Sequence, residues 1–293
     1  MNLLRSMRAN VLQQPDQIPI ALFAGKGELP RLLIQTFQSQ KRPFVVLAFK
    51  GQTEESLVKD ISHLWIHFGE AGKVINYLKD NQIQEVVMAG GVSRPAMSEI
   101  RPDWEGIKWL AKISSRALGD DNLLRHVIGM MEDHGYRVVA PDDILDVLLA
   151  PEGVLTVLKP DEQAMNDISR GIEVLRALSK VDVGQATVVQ EGLVLGVEAI
   201  EGTDALIERA GGLQRSGLGG VLVKMAKTYQ EIRVDLPTIG VETIQNAAKS
   251  GLRGVAVEAG KALILNQPEV LKAAQEKGLF IIGLTNTPCR KSH

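Results

Sequence analysis

The sequence predicts an α/β protein: an N-terminal Rossmann-like domain on a parallel sheet, a distinct C-terminal α/β domain on a mixed sheet, and a ligand cleft between them. Three observations carry this. Short apolar runs alternate with helical patterns from residue 20 to residue 140. Beyond Pro160 the texture changes, with a tight hairpin signal between two apolar runs. The length, 293 residues, lies where a single core of roughly 250–300 residues stops growing. The expected domains are 1–150 and 151–293, the second catalytic, with the boundary inside the proline-interrupted stretch 141–160.

The elements follow in order. Ile20 to Ala24 is an apolar run that breaks into Gly25-Lys26-Gly27-Glu28-Leu29-Pro30, and Leu32, Leu33 and Phe37 then mark a helix, the opening of a βαβ unit. Phe44 to Phe49 reads as a second strand and Leu64 to Phe68 as a third. Gly72 to Asp80 has Val74, Ile75 and Leu78 at helical spacing. Glu85 to Ala89 is a strand ending in Gly90-Gly91. Residues 121–134 place Leu123, Leu124, Val127, Ile128 and Met131 on one helix face, between a cap at Asp120 or Asp121 and a stop at Gly135. Tyr136 to Ala140 is another strand.

In the second half, Asp161 caps a helix reaching Ser179. Strands Ala186 to Gln190 and Leu193 to Ile200 flank the Glu191-Gly192 turn. A short helix to Arg209 follows Glu201-Gly202-Thr203-Asp204, with Thr203 as its expected cap. Gly220 to Val223 is strand-like and delivers Lys224, and residues 241–249 form a helix. Gly254 to Glu258 and Ala262 to Leu265 read as strands paired around Ala259-Gly260-Lys261. A helix from Pro268 and a strand from Leu279 to Leu284 complete the pattern.

Composition narrows the function. The hydrophobic fraction is 45%, and 33 basic side chains face 35 acidic ones for a net charge of −2. That balance argues against general nucleic-acid binding. A single cysteine, Cys289, excludes a disulfide framework and a cysteine zinc site, so a reducing cytoplasm is the expected location. No apolar run approaches a membrane span, and Met1 to Pro19 lacks the core of a secretory signal. The histidines show no zinc-protease spacing, and no G-x-S-x-G elbow is present.

The densest chemistry lies in residues 220–240. Lys224, Lys227 and Arg233 are cations, Glu231 and Asp235 are carboxylates, and Gln230 and Thr238 are polar neighbours. Cations neutralise phosphate oxygens and hard carboxylates suit Mg²⁺ or Mn²⁺, so the set fits a polyphosphate ester with a divalent metal. A solvated charged loop is the alternative. Gly25-Lys26-Gly27 stands at a phosphate turn, but Pro30 takes the place of the third glycine of the dinucleotide fingerprint. An anion or nucleotide contact at the helix N-terminus remains. Gly90 and Gly91, at a strand end, let a ligand approach the backbone. Thr203 either caps its helix or serves a phosphate or sugar hydroxyl, and Glu198, Glu201 and Asp204 are further carboxylates for a metal.

These motifs, together with Gly119-Asp120-Asp121, Asp182-Val183-Gly184-Gln185, Val197-Glu198-Ala199-Ile200-Glu201-Gly202-Thr203-Asp204, Gly220-Val221-Leu222-Val223-Lys224 and Asp235-Leu236-Pro237-Thr238-Ile239-Gly240, resemble the LpxI-type UDP-2,3-diacylglucosamine pyrophosphatases of lipid A biosynthesis. The ordered resemblance runs from about residue 18 to 284. It implies metal-dependent hydrolysis of the substrate's pyrophosphate to UMP and 2,3-diacylglucosamine 1-phosphate, with Mg²⁺ (or Mn²⁺). It implies Asp235 and Glu231 as metal ligands and catalytic residues beside Lys224. Substrate contacts are expected from Gly25, Lys26, Gly27, Gly90, Gly91, Gln185, Thr203, Asp204, Lys227, Gln230, Arg233 and Thr238. The chain departs from the family at Lys227-Thr228-Tyr229-Gln230-Glu231, where the family commonly has Lys-Pro-x-Gln-Asp. The partner is then a nucleotide-lipid substrate and not a nucleic acid, in the cytoplasm, with peripheral contact at the inner membrane and a homodimer both left open. The rival readings are a Rossmann-type oxidoreductase or nucleotide-sugar transferase, and a non-catalytic nucleotide-lipid binding protein.

Overall fold

A computed structural model describes residues 18–93, 99–112, 120–145, 149–227 and 236–285. The chain divides into two compact units, Met1–Lys112 with Ile128–Val139, and Ile113–Val127 with Ala140–His293. Among the described residues no helix is long and apolar enough to cross a membrane.

The first half runs β1 (Ile20–Ala24), α1 (Glu28–Ser39), β2 (Phe44–Phe49), α2 (Glu55–Val58), β3 (His63–Ile66), α3 (Ala71–Asp80), β4 (Glu85–Ala89), α4 (Trp104–Lys112), α5 (Asp120–Asp133) and β5 (Arg137–Val139). The strands form a parallel sheet in the order β3-β2-β1-β4-β5. Every residue of β1 and β4 is buried, which is why β1 and the Val86–Ala89 part of β4 read as apolar runs, a parallel strand covered on both faces having no polar side; Glu85 at the start of β4 is the exception and pairs with Arg42 and Arg137. α1 covers the sheet with Pro30, Leu33, Ile34 and Phe37, and α3 with Ala71, Val74, Ile75 and Leu78. The chain winds outward from β1 through β2 to β3 and then returns to β4 on the other side of β1. The β1–β4 junction is therefore the topological switch point of the sheet. β3 ends two residues before the expected Phe68, because the chain turns there through Gly69 at φ +96°.

The second half runs β6 (Gly153–Val154), α6 (Glu162–Ser179), β7 (Ala186–Gln190), β8 (Leu193–Val197), α7 (Thr203–Gly211), β9 (Val221–Lys224), β10 (Thr238–Ile239), α8 (Val241–Lys249), β11 (Gly254–Glu258), β12 (Leu263–Ile264), α9 (Gln267–Lys277) and β13 (Phe280–Leu284). Six strands form a mixed sheet in the order β6-β13-β11-β9-β7-β8, in which β9, β11 and β13 are parallel and β6, β7 and β8 join antiparallel. Side-chain alternation sorts the core into two layers. Val221, Val223, Ala256, Phe280 and Ile282 pack with Ala164, Ile168 and Leu175 of α6. Leu222, Val255, Val257 and Ile281 pack with Leu206 and Ile207 of α7, Ile244 and Ala247 of α8, and Val270 and Ala274 of α9. Fully burying such a side chain contributes about 1.5–3 kcal/mol.

The pairing expected between residues 254–258 and 262–265 does not form. β11 has a parallel neighbour on each edge, β9 and β13, so no edge is left for a hairpin partner, and β12 instead pairs with β10. Asp161 does cap α6: its side chain accepts from the Ala164 N–H at 2.7 Å.

Candidate functional site

The second unit concentrates its polar groups at one edge of its sheet. β7 runs antiparallel to β9 with Ala186 opposite Lys224, and β8 runs antiparallel to β7 with Val197 opposite Thr187. The carboxyl ends of β8, β9 and β11 and the start of β7 therefore lie together, bringing Gln185, Glu198, Lys224 and Glu258 to that edge. Ligands of α/β sheets bind at carboxyl ends.

Lys224 is only 6% exposed, and its ammonium donates to the carbonyl oxygen of Thr238 at 2.9 Å, tying β9 to β10. The chain continues through Met225, whose N–H donates to the carbonyl of Gln185 at 2.9 Å. Next, the Ala226 N–H donates to Glu258 Oε2 at 3.2 Å. Lys227 then reaches back to Asp182, with Nζ 2.7 Å from Oδ1. Glu258 is 2% exposed and also pairs with Lys261 at 2.9 Å. Glu198, likewise buried, accepts from the Gln185 N–H at 3.0 Å and from the Thr203 hydroxyl at 2.7 Å. Gly184, at φ +58°, is what lets this corner close, since a Cβ there would overlap the carbonyl oxygen of Glu198. Carboxylates and ammonium groups thus alternate along the edge, each fixed by named donors and acceptors. Such an edge can hold an anionic ligand and its counter-charges in set positions.

The residues expected at a site divide as follows. Gln185, Thr203, Lys224, Lys227 and Thr238 are brought together at this edge. Thr203 is not the cap expected of it: Gly202 takes the N-cap position at φ +84°, and the freed hydroxyl serves Glu198. The carboxylates of the 198–204 segment part ways. Glu201 pairs with Arg209 at 2.7 Å and Asp204 accepts from Asn246 of α8 at 3.0 Å, so neither joins Glu198. Gln230, Glu231, Arg233 and Asp235 lie outside the described residues. Glu258 and Asp182 are additions. Glu258 had a signal: Gly220-Val221-Leu222-Val223-Lys224 and Gly254-Val255-Ala256-Val257-Glu258 share one pattern, an apolar run ending in a charge, and Val257 aligns with Lys224.

Among the described residues no group of three His, Cys, Asp or Glu side chains converges on a metal position. Asp182 Oδ2 is buried without a hydrogen-bond partner, and it is one hard oxygen donor beside Lys227. One such oxygen does not make a site for a divalent cation.

In the first unit the two glycine turns at the switch point are joined. The N–H of Gly25 donates to Ala89, that of Lys26 to Gly91 at 2.8 Å, and that of Gly91 back to Lys26 at 3.0 Å. Only glycines permit this approach: a Cβ on Gly25 would stand 2.5 Å from the Gly91 oxygen, and one on Gly90 2.5 Å from the Lys26 oxygen. The Gly25 and Lys26 N–H groups are used between the turns, and those of the first turn of α1 remain, with Gly27 as an N-cap that has no side-chain bond.

Comparison with known proteins gives a consistent picture. The family model of the LpxI N-terminal domain matches residues 19–148, and that of the LpxI C-terminal domain matches residues 151–282. The UDP-2,3-diacylglucosamine pyrophosphatase LpxI of Caulobacter vibrioides is 38% identical over 272 residues, covering 90% of this chain and 97% of that protein. Among solved structures, the CobK precorrin-6A reductase is 12% identical over 92% of this chain and 88% of its own, with a TM-score of 0.32, a likeness too low to carry an argument.

Proposed function

The chain belongs to the LpxI family, and we propose that it is a UDP-2,3-diacylglucosamine pyrophosphatase of lipid A biosynthesis that needs a divalent cation. The observation that carries this reading is the 38% identity to the Caulobacter enzyme across nearly its whole length. The order of charges on the second-unit edge supports it. In the proposed reaction a water oxygen forms a bond to one phosphorus of the pyrophosphate, the P–O–P bond breaks, and UMP and 2,3-diacylglucosamine 1-phosphate leave. Lys224 and Lys227 stabilise the charge that grows on the phosphoryl oxygens. Glu258 and Asp182 hold the chain between those lysines in place, Glu258 through Ala226 and Asp182 through Lys227. Thr203 and Gln185, fixed by Glu198, orient the ligand. Asp235, with Glu231, would hold Mg²⁺ or Mn²⁺, which supplies charge neutralisation and a more acidic bound water.

The test is UMP release from UDP-2,3-diacylglucosamine by the purified chain, with Mg²⁺, with excess EDTA, and with Asp235→Ala. The reading expects release with Mg²⁺ and at least a hundredfold loss in the other two arms. Turnover that survives both EDTA and the substitution would remove the metal and Asp235 from the reaction.

A further inference from the structure

Asp182 breaks two local rules where the chain leaves α6. Its φ is +57°, in the left-handed region that glycine and asparagine usually fill at helix ends. Its carboxylate also stands just past a helix C-terminus, where the macrodipole favours cations. Helices α1, α3, α5, α8 and α9 end through a left-handed residue as well, at Lys41, Gln82, Gly135, Gly251 and Gly278, and none of these is acidic. The turn after α6 is made by backbone. The N–H groups of Val181 and Val183 donate to the Leu178 carbonyl at 3.0 and 3.3 Å, and that of Asp182 donates to Ser179 at 3.3 Å. Glycine would make the same turn without the carboxylate. A side chain that local preference argues against is a candidate for function.

The carboxylate is also half used. Oδ1 lies 2.7 Å from Lys227 Nζ, while Oδ2 is buried with no hydrogen-bond partner. Buried polar atoms are nearly all hydrogen-bonded, so an unserved acceptor beside a ligand site marks the place of a missing donor. The side chain as a whole is 26% exposed. The χ2 torsion of aspartate is soft, and turning it exchanges the two oxygens, so the unserved one lies within a side-chain rotation of solvent. An ionised carboxylate only accepts. A phosphate offers it no proton at neutral pH and repels it, whereas Lys227 attracts that phosphate. The donor that completes Asp182 is therefore a neutral group carried next to a phosphate, and on a sugar phosphate that group is a hydroxyl.

We propose that Asp182 is a specificity-determining residue: one carboxylate oxygen accepts from a sugar hydroxyl of the ligand while the other holds Lys227. The identity of the ligand as a sugar on a pyrophosphate rests on the hydrolase reading above. That reading gives the hydroxyl two sources, the ribose and the 4- or 6-position of the diacylated glucosamine. A single carboxylate then couples recognition of the sugar to the position of the ammonium that meets the phosphate. The same role explains why an aspartate, rather than a glycine, ends α6.

The experiment is calorimetric titration of the full chain, with EDTA, on wild type, Asp182→Gly and Asp182→Asn. The ligands are UDP-2,3-diacylglucosamine and its analogues lacking the ribose 2′- or 3′-hydroxyl or the glucosamine 4- or 6-hydroxyl. Cleavage of the parent compound with Mg²⁺ is measured beside it. Wild type should bind one analogue about tenfold more weakly than the parent, the loss of one hydrogen bond to a charged acceptor. The position of that missing hydroxyl names the ribose or the glucosamine. Asp182→Gly, which keeps the turn, should bind the parent and that analogue within about twofold of each other. Asp182→Asn keeps a partner for the hydroxyl and should keep the discrimination, which a merely structural role for Asp182 would not produce. Wild type binding all the analogues within about twofold of the parent would overturn the proposal, and that arm needs no folded variant. Discrimination that persists in Asp182→Gly would overturn it as well. The two readings fail separately. Discrimination lost in Asp182→Gly, in a chain that binds the parent without cleaving it, keeps the role of Asp182 and removes the hydrolase. Cleavage of the parent by a chain that does not discriminate among the analogues does the reverse.

Discussion

Glu258 shows how much one side chain can organise without being the reacting group. Its carboxylate is buried at the end of β11, one position beyond the alignment of Val257 with Lys224, and it accepts from Ala226 and Lys261. Glu258→Gln keeps the shape and removes the charge that holds the segment between Lys224 and Lys227. Charge-assisted hydrogen bonds contribute about 1.5–3 kcal/mol, so turnover should fall about tenfold or more with the chain still folded. Steady-state kinetics beside a thermal melt check this, and unchanged turnover would remove Glu258 from the site. At this scale the sequence was partly legible. Lys224 stood out because a strand-like run ended in it. Glu258 ends a matching run, but its significance depends on β9 and β11 being neighbours, and pairing between strands distant in sequence leaves no local trace.

Among the elements, helix α6 is written most clearly. Asp161 precedes an amphipathic stretch, caps its first turn through Ala164 and bonds Arg253 at 2.9 Å. The Ala164 N–H first, then Arg253, hold the Asp161 carboxyl below its ordinary value of 3.8. A depressed carboxylate stabilises the fold above its unfolded pKa and loses that contribution as pH falls through the folded one. Asp161→Ala should therefore cost about 1 kcal/mol at pH 7, the usual worth of an N-cap. The gap from wild type should close as the pH is taken below the Asp161 pKa. Urea midpoints at pH 7 and in acid measure both; a gap that persists in acid would contradict the cap's role. Helix α4 was not legible. Its Trp104 and Ile107 are 69% and 48% exposed, so these two large apolar residues do not mark a core-facing side. The expected hairpin after β11 failed for a different reason: two short apolar runs around a glycine turn look alike whether they pair with each other or, as here, with strands elsewhere.

For the whole molecule, alternation of strands and helices announced the parallel first sheet, and the Glu191-Gly192 turn announced the antiparallel edge of the second. The order β3-β2-β1-β4-β5 was not readable, because the return to the far side of β1 depends on packing, yet it is this return that puts Gly25 and Gly90 side by side. The chemical assignment of Asp235 and Glu231 came from the family resemblance rather than from spacing. The central claim, cleavage of a nucleotide-lipid pyrophosphate, is tested most directly by following UDP-2,3-diacylglucosamine by phosphorus NMR as the purified chain acts on it with Mg²⁺. The account predicts that the coupled pyrophosphate signals give way to two monoester signals, one from UMP and one from 2,3-diacylglucosamine 1-phosphate. Signals that persist unchanged, or that become those of free UDP through cleavage at the sugar, would contradict it.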